Sequence, residues 1–201
     1  MNDAEFDRFL HIETCGIKNG IYQSPHYNRY EPTPYSALEE LLKHYTIDEN
    51  DTIIDFGCGL GRVGIFLHYK TNASVIGIDM NEQFIKEAIK NREHFCKKFR
   101  KKEEGMHFLC CLAEEYQIQP AENKFYFFNP FSLPIFMKVL HHIMRSTEEK
   151  KHTVDVILYY PSLDYLDYLN RYTPFEKLKE IPIPSLHEKV WNERFVIYRL
   201  Q

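Results

Sequence analysis

One stretch of the chain has residue types and spacing suited to ligand chemistry. Asp55, Gly57, Gly59 and Gly61 alternate along Asp-Phe-Gly-Cys-Gly-Leu-Gly, and Asp79 lies 20 residues beyond Gly59. A glycine-rich turn between a strand and a helix offers backbone N–H groups and lets a ligand come close to the main chain. Two kinds of ligand suit such a turn. Gly59-Leu-Gly61-Arg-Val-Gly64 spells the G-x-G-x-x-G of a dinucleotide loop, in which the glycines approach a pyrophosphate and Asp79 would bind the ribose. Asp55 is unexplained by that reading, because a carboxylate directly ahead of the glycines repels a pyrophosphate. It suits a ligand carrying an ammonium and a sulfonium, and it could also cap the helix that follows; the two roles are compatible.

Elements able to position these residues are readable on either side. Thr52 to Phe56 reads as a short buried strand, followed by the glycine loop and an apolar helix from about Gly61 to Tyr69. "ASVIGIDM" is a second strand carrying Asp79. Asn81 then caps a long helix with Phe84, Ile85, Ala88, Ile89, Phe95, Cys96 and Phe99 on one face. "MHFLCCLA", "KFYFFNP" and "TVDVILYYP" are further strands, with helices over Leu133 to Arg145 and over "SLDYLDYLNRY". Ahead of the first strand, Thr33 is expected to cap a helix with Pro34 at its first position and Leu38, Leu41, Leu42 and Tyr45 as its apolar stripe. Two closing strands, "FEKLKEIPI" and "RFVIYRL", have no helix between them. The pattern predicts an α/β fold: a doubly wound, mostly parallel seven-stranded sheet with a C-terminal antiparallel hairpin and helices on both faces. A single domain over 1–201 is expected, with 1–30 as an N-terminal lid or extension and 31–201 as the Rossmann-like core.

The D-F-G-C-G-L-G loop, the downstream Asp79 and the terminal hairpin together resemble the class I, seven-stranded S-adenosylmethionine-dependent methyltransferases, from about Tyr30 to Leu200. The resemblance implies S-adenosylmethionine as cofactor. It implies that Gly57, Cys58, Gly59 and Gly61 form the cofactor loop, that Asp55 lies near the methionine amino group and that Asp79 binds the ribose hydroxyls. Met80 then lies against the adenine, and Gly64 is a packing position. Tyr30-Glu-Pro-Thr33-Pro34 looks like the Tyr-x-Pro-Thr-Pro segment that closes the methionine end of the site in some members; otherwise it is only a helix start. Leu112 stands where many members have an Asp for the adenine amino group, so the Ala113 backbone or the Glu114 side chain would replace it.

Asn129-Pro130-Phe131-Ser132 closes the fourth strand. It is similar to the Asn-Pro-Pro-aromatic motif of amino-group methyltransferases, although one proline is missing and the aromatic comes one position early. The resemblance implies that Asn129 and the Pro130 carbonyl accept hydrogen bonds from a target amine while Phe131 stacks on a planar acceptor. The plainer reading is a strand-ending turn with buried phenylalanines. Attack on a sulfonium-bound methyl asks mainly for alignment and exclusion of water, and for a base where the nucleophile carries a proton. His26, Tyr27, Tyr159 and Tyr160 are the base candidates by position. No spacing among the histidines and cysteines matches a metal site. A non-catalytic S-adenosylmethionine-binding module and an NAD-dependent oxidoreductase are the rival readings.

Composition sets outer bounds. The formal charge of −4 gives no general attraction to a polyanion. With no appended recognition domain in sight, a small-molecule or protein acceptor is expected before nucleic acid. The basic run Lys97 to Lys102 reads as a solvated helix end, where cations complement the helix dipole. Five cysteines without a C-x-x-C, an acidic N-terminus and no long apolar run point to a cytoplasmic protein with reduced thiols, outside the membrane.

Overall fold

The computed structural model describes residues 1–15 and 30–201. Among these, seven strands form one sheet: β1 (Thr52–Phe56), β2 (Ser74–Asp79), β3 (Met106–Cys110), β4 (Lys124–Phe127), β5 (Val154–Tyr159), β6 (Glu176–Pro182) and β7 (Arg194–Leu200). Their order is β3-β2-β1-β4-β5-β7-β6. The first five run parallel, and β7 enters antiparallel between β5 and β6. This is the expected doubly wound sheet with its closing hairpin. The chain reverses its direction of winding between β1 and β4, so their connections part there and leave a crevice at the carboxyl edge.

The strand period of two divides the core. Ile53 and Tyr126 join one apolar cluster, whereas Ile54, Phe56, Phe125 and Phe127 join the other. The helices α1 (Asp3–Leu10), α2 (Tyr35–His44), α3 (Arg62–Thr71) and α4 (Glu82–Phe99) cover the first face. The second is covered by α5 (Leu133–Glu149) and α6 (Leu163–Tyr172). Gly64 is a packing position, since a Cβ there would lie 2.6 Å from Val75 Cγ1.

Asn81 caps α4 as expected, its side chain accepting from the Gln83 and Phe84 N–H groups at 2.9 and 3.3 Å. Thr33 does not cap α2. Pro34 occupies the N-cap without a side-chain bond, and the Thr33 hydroxyl instead meets the Tyr126 hydroxyl at 2.7 Å inside the protein. α1 was not evident from periodicity; Asn2 and Glu5 cap it reciprocally, and Phe6 stacks on Tyr35 with ring centroids 4.7 Å apart. The basic end of α4 does more than meet solvent: Lys98 Nζ donates to the Phe9 carbonyl at 2.5 Å, closing the last turn of α1.

At the amino edge, Asp155 of β5 is fully buried and accepts hydrogen bonds from Arg199 Nε and Nη2 (2.7 and 2.8 Å), Lys124 Nζ (2.9 Å) and the Tyr45 hydroxyl. The outer strand β6 is exposed except at Ile181, and its register against β7 shifts between Lys177 and Lys179. No helix among the described residues is long and apolar enough to cross a membrane.

Candidate functional site

The glycine loop leaves β1 with φ of +80° at Gly57, +51° at Gly59 and +83° at Gly61. Space as well as backbone conformation demands glycine at the first two. A Cβ on Gly57 would lie 2.5 Å from Pro130 Cβ, and one on Gly59 would lie 2.2 Å from the Tyr30 ring. The loop's N–H groups are largely engaged within the protein. Gly57 and Cys58 donate to the Ile78 carbonyl at 2.8 and 3.0 Å, Gly61 donates to Cys58 at 2.9 Å, and Gly59 donates to Asp79 Oδ2 at 3.1 Å. A pyrophosphate therefore meets few open donors here, which weakens the dinucleotide reading on physical grounds.

Asp55 supplies a stronger discriminator. It is 2% exposed, and its Oδ2 is buried with no hydrogen-bond partner. It does not cap α3, whose N-cap is Gly61 with no side-chain bond. Burial, and then the charge of Asp79, push its carboxyl up to about 8. Its neighbours Cys58 and Tyr126 are also pushed up, chiefly by burial, and so stay neutral beside it. An orphaned carboxylate beside a second carboxylate fits a ligand with a positive charge.

The predicted cofactor residues lie on the segments that follow β1, β2 and β3 and on the approach to α2. Asp79 accepts from Gly59 N–H and, at 2.8 Å, from Asn81 N–H; burial raises its carboxyl against those two bonds. Tyr30 lies on Gly59 and donates its hydroxyl to the Thr14 carbonyl at 3.2 Å. Thr33 is 2% exposed, with its hydroxyl on Tyr126 and its carbonyl accepting from Arg62 Nη1 at 3.2 Å, and Pro34 follows half-buried. Met80 is half-buried beside Cys110, whose Sγ meets the Met80 carbonyl at 3.7 Å. Leu112 precedes a 3₁₀ turn, Ala113–Glu115, in which the Ala113 side chain packs into the core and Glu114 is half-buried.

At the end of β4 the chain turns at Asn129 with φ of +41°, and at the end of β5 it turns at Tyr160 with φ of +47°. Left-handed conformations at two non-glycine residues on adjacent strand ends are locally costly and need support. Asn129 provides it: its Nδ2 donates to the Tyr160 carbonyl at 2.5 Å and its Oδ1 accepts from Ser162 N–H at 2.9 Å. Pro130 sits against Gly57, so the strand-four turn and the glycine loop touch.

Phe131 departs from expectation. It is 2% exposed, its ring packs near Phe56 and Phe127, and its carbonyl accepts from the Tyr165 hydroxyl at 2.5 Å. A ring in the core cannot stack on an acceptor. Phe128 and Tyr160, at the ends of β4 and β5, are half-buried aromatics with centroids 6.3 Å apart. Phe128 was legible from alternation, since it falls on the same strand face as Tyr126, the face opposite Phe127. Tyr159 is not available as a base: it is 1% exposed, donates its hydroxyl to Glu193, and is pushed up by burial and by that bond. His26 and Tyr27 lie outside the described residues. Two buried residues that the sequence did not flag, Arg62 and Asn91, hold residues 13–15 against this site through the bonds given below.

Comparison with known proteins settles the class. Residues 47–152, more than half of the chain, match a family described as a methyltransferase domain. The chain belongs to that family of methyltransferase domains. A protein-lysine N-methyltransferase of Saccharolobus islandicus (strain REY15A) is 32% identical over 65 residues, covering 32% of this chain and 40% of that relative. The chain thus matches well under half of that relative's length. Two solved structures share the fold. An RNA methyltransferase from Salinibacter ruber, in complex with S-adenosylhomocysteine, has a TM-score of 0.57 at 20% identity, covering 84% of this chain and 92% of its own. A SAM-dependent methyltransferase from Aquifex aeolicus has a TM-score of 0.59 at 16% identity, covering 81% and 89%.

Proposed function

We propose that this chain is an S-adenosylmethionine-dependent methyltransferase acting on an amino nitrogen of a protein side chain. The observation that carries the reading is the Asn129-Pro130 turn, held in an unfavourable conformation and packed directly on Gly57 of the glycine loop. The residues form a single domain, with 31–201 as the core and the N-terminal residues as an extension over it. S-adenosylmethionine supplies a methyl on a positively charged sulfur, open to in-line attack. Gly57, Cys58, Gly59 and Gly61 pass beneath the methionine and ribose portion, Asp55 favours the ammonium, and Asp79 accepts from the ribose hydroxyls. Tyr30, Thr33 and Pro34 close the methionine end, while Met80, Ala113 and Glu114 border the adenine. On the acceptor side, the Pro130 carbonyl and Asn129 accept hydrogen bonds from an amine and aim its free pair at the methyl. A lysine must shed its proton before attack, and Tyr160 is the described base candidate at this edge.

Charge distribution favours a cationic acceptor. Glu31, Glu82, Glu114, Asp164 and Glu188 lie in the loops and first helical turns that follow the parallel strands or border the carboxyl edge. Among the described residues, Arg62, Lys86 and Arg194 there are paired with Asp3, Glu82 and Glu180, while Lys189 beside Glu188 is exposed. The helix dipole accounts for acids in first turns, but not for Glu31 or Glu188. A lysine-bearing segment meets attraction at this edge and a nucleic acid meets repulsion. The lysine methyltransferase relative supports the same choice. Incubating the chain and labelled S-adenosylmethionine with separated protein, RNA and small-molecule fractions tests it. Label should enter protein and be recovered as methyl-lysine after hydrolysis; label in RNA alone would refute the acceptor.

Asp55 gives the donor site a pH signature. Its pKa is raised on folding, so between about pH 4 and its folded value the native state holds a proton that the unfolded chain has lost. Stability of the free protein contributed by this group therefore falls as pH rises through that window, and is fully lost above about 8. A bound ammonium favours the ionised carboxylate. Affinity for S-adenosylhomocysteine is thus expected to rise toward pH 8, by up to about tenfold per unit, with proton release on binding. Calorimetry in buffers of different ionisation heat measures both. The trend should flatten in Asp55→Asn; a flat profile in the unaltered chain would remove Asp55 from the ammonium site.

A further inference from the structure

We infer that Arg62 and Asn91 are positioning residues for the methyl donor, strapping residues 13–15 to the glycine loop so that the strap holds Tyr30 over Gly59. The inference rests on the donor site proposed above. Arg62 stands at the first position of α3, directly after the loop, and is 2% exposed. A guanidinium there has lost its water and must be compensated by well-placed partners. Its Nε donates to Thr14 Oγ1 at 2.6 Å, its Nη1 to Asp3 Oδ2 at 2.5 Å and to the Thr33 carbonyl at 3.2 Å, and its Nη2 to Cys15 Sγ at 3.1 Å. The Tyr35 ring lies 4.6 Å beneath it. One side chain thus joins the start of α1, the strap, the approach to α2 and the end of the glycine loop.

Asn91 makes the second tie. It is 5% exposed, accepts from Glu13 N–H at 2.9 Å, and donates to the Glu13 carbonyl at 3.2 Å and to the Leu60 carbonyl at 2.9 Å. Leu60 belongs to the glycine loop, so a single amide joins strap and loop. Asp7 fixes the strap's shape, accepting from the N–H groups of Thr14 and Cys15 at 2.6 and 2.8 Å and from the Thr14 hydroxyl at 2.8 Å. With Thr14 so placed, its carbonyl receives the Tyr30 hydroxyl at 3.2 Å. The Tyr30 ring then occupies the space that a Cβ on Gly59 would need. The apolar contacts of Phe6 and Leu10 hold α1 to the core. Ile12, also in the core, anchors the chain just ahead of the strap, and the buried polar ties then fix Thr14 itself.

The test measures the dissociation constant of S-adenosylhomocysteine by calorimetry on the full chain, well below the melting temperature, for Arg62→Lys, Thr14→Val, Tyr30→Phe and the Thr14→Val/Tyr30→Phe pair. Asp79→Ala serves as the control for the donor site. Arg62→Lys keeps a charge but loses the fork that reaches Thr14, Thr33 and Cys15 together. Each single variant should weaken binding by about three- to tenfold, and the pair by no more than the stronger single, because both act along one path. Should Arg62→Lys fail to fold, Thr14→Val and Tyr30→Phe carry the same test. Loss of binding in Asp79→Ala with unchanged binding in the strap variants overturns the strap and leaves the donor site standing. Unchanged binding in Asp79→Ala overturns the donor site, and the strap with it.

Discussion

Replacing Asp79 by alanine is expected to erase the rise in melting temperature that S-adenosylhomocysteine gives the unaltered chain. On the proposed donor site the carboxylate has two duties. It accepts the Gly59 and Asn81 N–H groups, which shapes the loop, and in the proposed complex it also accepts from the ribose hydroxyls. Hydrogen bonds to an ionised group contribute about 1.5–3 kcal/mol each, so losing a pair of hydroxyl contacts weakens binding by about a hundredfold or more. Ligand at a hundred times its dissociation constant stabilises by about 2.7 kcal/mol, or about 5–10 °C for a chain of this size. That increment should vanish in Asp79→Ala and be absent for NADH with either protein. A full shift in the variant would exclude the ribose role, and a shift with NADH would revive the dinucleotide reading.

The largest stability loss is expected at the opposite edge, from Asp155→Ala. Burial alone would raise this carboxyl, but hydrogen bonds from Arg199 and Tyr45 and the charge of Lys124 outweigh it and hold it below its usual range. A carboxylate depressed on folding contributes stability above its unfolded pKa, and that contribution is lost as pH falls through its folded value. Removing it leaves Lys124, only 9% exposed, with Asp51 at 3.6 Å as its remaining anion. Arg199 is more exposed and can turn toward water. Breaking a buried pair costs about 3–5 kcal/mol, and the surviving Asp51 contact places this case near the lower end. Thermal denaturation at neutral pH should show a fall of about 6–12 °C, shrinking in acid. A variant melting within a degree or two of the parent would mean that the cluster contributes nothing.

The strands and the glycine loop after β1 were legible because they depend on local signals. Each strand is a short apolar run bounded by turn residues, and Asp55, the three glycines and Asp79 lie within a single βαβ unit. What escaped depends on distant partners. Thr33 has the type and place of a cap, yet Tyr126, 93 positions away, takes its hydroxyl. Arg62 occupies a variable place in a glycine motif, and its burial follows from Asp3 and Thr14, 59 and 48 positions away. Phe131 matched a motif by residue type, but the backbone turn at Asn129 aims its ring into the core. α1 left one local trace, Asn2 and Glu5 at capping-box spacing, which eight residues of weak periodicity did not reinforce.

The position of β7 bears on how the chain assembles during synthesis. β6 precedes β7 in sequence but pairs only with it, and β5 also needs β7 to complete its ladder. Until Arg194–Leu200 has emerged, Val154–Tyr159, buried along its whole length, presents an apolar edge with unpaired backbone groups. Such an edge is a template for pairing with another nascent chain. β6 is suited to waiting: its exposed glutamates and lysines, its register shift and Pro182 make it a poor partner for anything except the hairpin it belongs to. Ribosome-bound chains halted before residue 194 should therefore be the aggregation-prone species, and release of seven further residues the step that closes the sheet.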